Sequence, residues 1–160
     1  MKYQVGDSIA HPLHGAGTVS EIAHKRFEGK TQSYYVLVIP KGDMRVMIPV
    51  DSCEQIGIRP IVQKEEITRI LVEIPKLPVV DDSNWNKRYR ENMLRIKSGD
   101  LLVVAGVIKS LVWREARFGL SNGERKMLHN AKQILLSEMM LSQKVDYETV
   151  EQQLYEALNH

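Results

Sequence analysis

The sequence predicts an α+β protein in which a small antiparallel β-barrel is followed by a compact all-α bundle. In residues 1–55, short apolar segments alternate with turn residues such as Gly15-Ala16-Gly17 and Glu28-Gly29-Lys30, which is the pattern of short strands. From residue 84 onward the apolar period becomes about 3.6 residues, which is the period of helices. Because too few strands are available for two sheets, a strongly bent barrel is favoured over a sandwich.

Four strands are expected in the first part of the chain. They cover residues 8–11, 17–22, 33–39 and 44–48. A hairpin crosses Gly42-Asp43, and alternation in the strand after it places Met44, Val46 and Ile48 on one face. Arg45 and Met47 share the opposite face.

Three regions are expected along the chain. Residues 1–60 form the barrel, residues 61–82 form a linker with a short helix, and residues 83–160 form the bundle. Helices of the bundle are expected over about 84–97, 100–117 and 121–142, with a last helix after Asp146. Gly99 and Gly119 are favourable ends for the first two helices, and Ser121 with Glu124 fits a capping box.

Basic residues are concentrated in one part of a chain whose net charge is only +2. Residues 87–132 contain 11 basic and four acidic side chains, a local net charge of +7, whereas residues 133–160 contain one basic and five acidic side chains. A local excess of this kind is typical of a nucleic-acid-binding surface. The alternative is an ordinary solvated helix face, which is often rich in Lys and Arg.

Trp85 stands at the start of this basic region, just before Lys87, Arg88 and Arg90. A bulky aromatic beside cations suits an apolar wedge that enters a DNA groove while the cations neutralise phosphates. The alternative is a core residue, since Trp85 precedes Tyr89 by four positions and would extend a helical apolar stripe. The pattern alone leaves both interpretations open.

Several classes of protein are disfavoured. No apolar run approaches 18 residues, and the N-terminus lacks an apolar signal segment, so a cytoplasmic protein without membrane contact is expected. The single cysteine, Cys53, is expected to be a small buried residue near a strand end. His11 and His14 lie in a proline- and glycine-containing turn without a third ligand. We therefore expect no catalytic residue, metal or cofactor, and a small hydrolase using His11, His14 and Cys53 ranks last among the hypotheses.

The order and spacing of several short segments carry a family resemblance over nearly the whole chain. The N-terminal segments are Val5-Gly6-Asp7, His11-Pro12-Leu13-His14-Gly15-Ala16-Gly17, Tyr35-Val36-Leu37 and Val46-Met47-Ile48-Pro49. The C-terminal segments are Asn84-Trp85 with Arg88-Tyr89, Lys97-Ser98-Gly99-Asp100, and Leu120-Ser121-Asn122-Gly123-Glu124-Arg125-Lys126-Met127-Leu128. Together they resemble the CarD family of bacterial transcription regulators, also called the CarD/CdnL family.

The resemblance implies a Tudor/SH3-like domain at residues 1–60 that binds the β subunit of bacterial RNA polymerase, and a DNA-binding helical domain at residues 83–160. It implies that a tryptophan at the Trp85 position enters the minor groove at the upstream edge of melted promoter DNA and stabilises the open complex. The DNA-binding residues implied are Trp85, Lys87, Arg88, Arg90, Arg125 and Lys126. The polymerase-binding residues implied are Lys25, Arg45, Met47, Ile48 and Pro49.

The chain departs from the family pattern in the polymerase-binding face. The resemblance implies that some well-studied relatives have arginines at the positions occupied here by Lys25 and Met47. Lys25 keeps the charge but not the bidentate geometry of a guanidinium, and Arg45 can supply the charge that Met47 lacks.

The expected molecule is a monomer that joins the nucleoid through polymerase and reads little base sequence. Two other functions remain as alternatives. One is a protein-interaction adaptor that uses the bundle as a scaffold, and the other is a non-specific nucleoid-type DNA binder without polymerase tethering.

Overall fold

The computed structural model describes residues 2–42 and 44–159, and it confirms the α+β fold class. The strands are β1 (Ser8–His11), β2 (Gly15–Phe27), β3 (Lys30–Ile39), β4 (Met44–Pro49) and β5 (Arg59–Pro60). The helices are α1 (Cys53–Ile56), α2 (Lys64–Glu73), α3 (Trp85–Lys97), α4 (Leu101–Phe118), α5 (Asn122–Gln143) and α6 (Tyr147–Leu158). Short 3₁₀ turns occur at Val50–Ser52 and Ile74–Lys76.

The strands form one antiparallel sheet in the order β4-β3-β2-β1-β5. Over the described residues β4 does not pair with β5, so the predicted closure into a barrel is wrong. The reason lies in the strand lengths. β5 has two residues and β1 has four, so this side of the sheet is too short to curl round and meet β4.

One face of the sheet packs on its own apolar core. Tyr35, Leu37 and Ile39 on β3 are at most 1% exposed, and Ile48 on β4 lies beside them. Met47 on the opposite face is 39% exposed. The predicted alternation along β4 is therefore confirmed.

Side-chain caps fix the N-terminal ends of α3, α4, α5 and α6 within one residue of their predicted positions. The Asn84 side chain accepts a hydrogen bond from the Lys87 amide at the start of α3, and Asp100 accepts two at the start of α4. Ser121 caps α5 and Asp146 caps α6 in the same way. Each cap satisfies an amide that has no partner within the helix.

The segment predicted as a linker contributes to the helical core. Ile67 and Ile70 of α2 and Ile74 after it are at most 2% exposed, and they pack with α4, α5 and α6. The Lys109 ammonium donates to the carbonyls of residues 74, 75 and 77, at 2.8–3.0 Å. Residues 61–82 are thus anchored to the bundle over much of their length.

Buried polar contacts join the sheet to α5. The Glu138 carboxylate, 1% exposed, accepts hydrogen bonds from the Arg59 guanidinium at 2.7 and 2.9 Å and from the Val62 amide at 2.8 Å. The Ser137 hydroxyl accepts from the Ala16 amide at 2.9 Å. Gly15 lies so close to α5 that a Cβ on it would be 2.5 Å from the Ser137 hydroxyl oxygen. The junction therefore has a specific, tightly packed geometry.

We expect Gly15→Ala to destabilise the protein by about 1–3 kcal/mol more than Gly6→Ala, because only the first adds a steric clash with α5. Both glycines have a similar left-handed φ, +99° and +96°, so the backbone strain of a side chain is matched, while Gly6 has open space around it. Urea denaturation of the two variants measures the difference. Equal free energies of unfolding would show that the sheet does not approach α5 as described.

Candidate nucleic-acid interface

Trp85 lies at one end of the bundle, where the N-termini of α3 and α5 meet. Its indole stacks on the Tyr89 ring with 5.0 Å between centroids and 18° between planes. The indole N–H donates to the Ser121 hydroxyl at 3.1 Å, and the backbone of Gly123 lies beside the indole edge. Trp85 remains 43% exposed. The indole is therefore fixed in place without being a core residue.

The structure corrects the prediction that Arg88 lies on the DNA surface. Arg88 is 4% exposed, and its guanidinium donates to the Glu124 carboxylate at 2.8 and 3.2 Å and to the Asp82 carbonyl at 2.7 Å. Its helical position, four residues before buried Asn92 and eight before buried Ile96, points it inward. Arg88 therefore positions α3 against α5 and is not available to a phosphate in this arrangement.

The ion pair between Arg88 and Glu124 is charged at neutral pH. Burial raises the pKa of Glu124, but the hydrogen bonds and charge of Arg88, together with Ser121, outweigh burial, and the net pKa lies below its usual value of 4.5. Hydrogen bonding to Glu124 raises the pKa of Arg88. Since the Glu124 pKa is depressed by folding, the pair stabilises the protein above about pH 4.5, and this stabilisation is lost as the pH falls through the folded-state pKa.

Four of the predicted DNA-binding cations are exposed at the same end of the bundle as Trp85. Lys87 and Arg90 lie on the solvent side of α3, where Lys87 forms an exposed ion pair with Asp82 at 3.3 Å. Arg125 and Lys126 lie in the first two turns of α5, just after Ser121 and Gly123, which contact Trp85. The fold thus brings together residues almost 40 positions apart in the sequence. The N-termini of α3 and α5 add partial positive charge at the same end of the bundle. This surface is suited to a polyanion.

Not all cations of the basic region face solvent. Lys109 is bound to three backbone carbonyls, and Arg114 forms an ion pair with Asp81 at 2.8 Å. Tyr89, Ser121 and Gly123, which hold the indole, were not predicted as site residues. The capping motif revealed Ser121 as a helix start, but its contact with Trp85 depends on the packing of α3 on α5.

The outer face of the sheet carries most of the residues predicted to bind polymerase. Met47 on β4 is paired through Val36 on β3 with Glu21 on β2. Lys25 lies four residues beyond Glu21 and Arg45 two residues before Met47, so alternation places both on the same face as Met47. β4 is also an edge strand of the sheet. Lys25, Arg45 and Met47 thus share one exposed surface.

Of the two other residues predicted for this surface, Pro49 lies on it and Ile48 does not. Pro49 lies on the same face by alternation and is half-buried. Ile48 is 1% exposed and belongs to the sheet core. The prediction that Ile48 contacts polymerase is corrected, because the period of two that exposes Met47 turns Ile48 inward.

The candidate residues for a hydrolase lie in unfavourable surroundings. Burial, followed by the charge of His14, lowers the pKa of His11 to about 4, and the His11 Nδ1 accepts a hydrogen bond from the Leu13 amide. Cys53 is buried, as predicted, and burial raises the pKa of its thiol, which makes it a weak nucleophile. Among residues 2–42 and 44–159 no group of three His, Cys, Asp or Glu side chains is arranged for a metal ion.

Comparison with known proteins identifies the family. A model described as CarD-like/TRCF RID domain matches residues 3–62, and a model described as CarD, C-terminal domain matches residues 69–155. The chain belongs to the CarD family. It is also 33% identical over 137 residues to "Putative transcription factor YdeB" of Bacillus subtilis (strain 168), with 86% of this chain and 90% of that protein covered.

Membership of the CarD family agrees with the predicted resemblance and with both halves of the fold. The RID domain is an RNA polymerase-interacting domain, and CarD-family proteins are transcription factors without enzymatic activity. None of the helices described in the structure is both long enough and apolar enough to span a membrane.

We expect Arg88→Met to destabilise the protein by about 3–5 kcal/mol, because it leaves the Glu124 carboxylate buried without its partner. The double variant Arg88→Met/Glu124→Leu should regain most of this loss and should lose less stability than the parent as the pH falls below about 4.5. Lys87→Met, an exposed control on the same helix, should change stability by less than about 0.5 kcal/mol. Urea unfolding at several pH values measures these differences. A destabilisation of less than about 1 kcal/mol by Arg88→Met would show that Arg88 is an exposed residue and not a buried one.

Proposed function

We propose that this CarD-family protein binds the β subunit of bacterial RNA polymerase through the outer face of its sheet and stabilises the promoter open complex by inserting Trp85 into DNA. The observation that carries the proposal is the setting of Trp85. A flat side chain, 43% exposed, is held on Tyr89 and Ser121 and is flanked by exposed cations from two helices.

A wedge of this kind acts on the equilibrium between closed and open promoter DNA. An apolar side chain that enters a groove or a base step requires DNA that is already distorted or is easily distorted. Trp85 therefore binds the edge of the melted region better than intact duplex, and only such a difference in affinity shifts the equilibrium. A preference of about 1.4 kcal/mol changes the ratio of the two states tenfold.

The exposed cations Lys87, Arg90, Arg125 and Lys126 hold the phosphate backbone beside the wedge. Phosphate contacts carry little sequence information, so base specificity is low. A single small basic module binds non-specific DNA with a Kd of about 10⁻⁴ to 10⁻⁶ M. Attachment to polymerase raises the local concentration of the module to the millimolar range, which is enough to fill such a site.

The sheet supplies the attachment. Lys25 and Arg45 give the outer face its positive charge, and Met47 between them offers an apolar contact. Arg45 supplies the charge that the resemblance implies, in some relatives, at the Met47 position. One chain carries both surfaces, so a monomer is sufficient for this function, which takes place in the cytoplasm on the nucleoid where polymerase is bound.

We expect Trp85→Ala to remove most of the effect of the protein on open-complex lifetime while polymerase binding is retained. The lifetimes of complexes formed with purified polymerase measure this, and Leu94→Ala is the matched control. Leu94 lies on the same helix, is 63% exposed and is turned away from the Trp85 contacts. Since the indole is substantially exposed, the melting temperature of Trp85→Ala should fall by no more than about 5 °C.

A large loss of melting temperature in Trp85→Ala would instead support the core interpretation of this residue. A normal open-complex lifetime with Trp85→Ala would contradict the wedge. Strong binding of free duplex, with no change when polymerase is added, would support the nucleoid-type binder.

We expect Lys25→Glu and Arg45→Glu each to weaken polymerase binding by at least about tenfold, because charge reversal turns an attraction across the interface into a repulsion. Arg26→Glu is the matched control. Arg26 is exposed on the same hairpin, but alternation places it on the opposite face from Lys25. Binding of the intact variants to polymerase is measured by surface plasmon resonance, and equal effects of all three substitutions would show that the outer face is not the interface.

A further inference from the structure

A second exposed aromatic residue lies at the same end of the bundle as Trp85. Phe118 is the last residue of α4, and only Gly119 and Leu120 separate it from Ser121, which binds the Trp85 indole. Three Cα steps of 3.8 Å limit the distance between the Cα atoms of Phe118 and Ser121 to about 11 Å. The Phe118 side chain is 68% exposed.

Phe118 belongs to a cluster in which aromatic rings and guanidinium groups alternate. Trp113 meets Phe118 edge to face, with 6.2 Å between centroids and 69° between planes. The Arg114 guanidinium lies 5.1 Å from the Phe118 centroid, and the Arg117 guanidinium lies 4.8 Å from the Trp113 centroid. These four residues form the Phe118 cluster. Arg114 is also bound to Asp81, so part of the cluster is fixed in place.

The composition of the Phe118 cluster favours nucleic acid over an apolar protein partner. Within the described ranges 2–42 and 44–159, no carboxylate forms an ion pair with Arg117 or with nearby Arg125 and Lys126. An apolar partner would have to cover these charges without neutralising them, which is costly. Phosphates neutralise them directly, and the exposed ring is left to meet the bases.

The exposed ring also distinguishes single strands from duplex. Base faces are hidden in a paired, stacked duplex, whereas unpaired bases can stack on an aromatic side chain. Proteins that bind single-stranded DNA combine such rings with cations that follow the backbone. The Phe118 cluster has both the rings and the cations, and Phe118 lies three positions before Ser121, which binds the Trp85 indole.

We infer that the Phe118 cluster binds unpaired bases of the melted DNA next to the position where Trp85 inserts. This inference rests on the proposed function and adds a second element to it. Trp85 lies at the edge of the duplex, and Phe118 stacks on an unpaired base of a strand that separates from the duplex there. The protein then recognises a fork in the DNA, not only a distorted groove.

The test uses the full chain without polymerase and three fluorescent DNA probes of one sequence at fixed low salt. The probes are a full duplex, the same duplex with a mismatched bubble, and a single strand. We expect the wild-type chain to prefer the bubble, and Phe118→Ala to reduce this preference at least about fivefold while duplex affinity is kept. Phe118→Trp should retain the preference, whereas Phe118→Leu, apolar but not flat, should lose it as Phe118→Ala does.

Phe27→Ala is the matched control, since Phe27 is 72% exposed at the tip of the β2–β3 hairpin, away from the bundle end. It should leave all three affinities unchanged. A bubble preference that survives Phe118→Ala, or equal losses on duplex and bubble, would overturn the inference. So would full retention of the preference by Phe118→Leu, because stacking would not then be the interaction.

Two further variants separate failure of this inference from failure of the proposed function. Replacement of Lys87, Arg90, Arg125 and Lys126 by Gln should weaken binding to all three probes. On duplex, the slope of log affinity against log salt concentration should become shallower by about 0.9 for each lost phosphate contact. If that variant and Trp85→Ala behave as expected while Phe118→Ala has no effect, only the role of Phe118 is wrong. If neither the four-residue Gln variant nor Trp85→Ala alters DNA binding or open-complex lifetime, the proposed function fails and the inference fails with it.

Discussion

The buried carboxylate of Glu138 is the contact on which the arrangement of sheet and helices depends. It lies on α5 and accepts three hydrogen bonds from β5 and the residues after it, two from Arg59 and one from the Val62 amide. Without these donors the carboxylate would be an unpaired buried charge, which costs several kcal/mol. Other relative orientations of sheet and helices would break these bonds. The close approach of Gly15 to Ser137 adds a steric limit at the neighbouring strand, so polar bonding and packing select the same geometry.

A second buried carboxylate on the same helix extends this constraint to Trp85. Glu124 lies 14 residues before Glu138, which corresponds to about 21 Å along an α-helix. Through Arg88 it holds α3 against α5, and α3 begins with Trp85. One helix of 22 residues therefore connects the sheet to the exposed indole. The spacing of the two surfaces is set by α5, while residues 61–82, predicted as a linker, add α2 to the core.

The elements whose signals are local could be predicted from the sequence. The starts of α3, α4, α5 and α6 were predicted within one residue, because Asn84, Asp100, Ser121 and Asp146 cap them through bonds to amides two or three positions away. The short helix α1 was not predicted. β2 extends to Phe27, beyond its predicted end, since its last part is exposed and held by pairing with β3, which leaves no apolar alternation. The role of Arg88 could not be predicted, because its partner Glu124 is 36 positions away. A count of charges treats a buried cation and an exposed one alike. The prediction that the sheet closes was wrong because the pattern predicted four strands, without β5, and does not show which strands pair; β5 has only two residues and pairs with β1.

In the proposed function, the rigid connection through α5 is what makes attachment to polymerase effective. A flexible tether would spread Trp85 over many positions, which would lower its effective concentration at the place where the strands separate. A wedge held at one position meets DNA at one place relative to the polymerase, which is the place where the strands separate. Its difference in affinity between the two states then follows from geometry and not from base recognition. This accounts for a surface of cations around a single indole, since phosphate contacts position a protein without reading sequence. The promoter is selected by the polymerase, and Trp85 needs no sequence preference of its own.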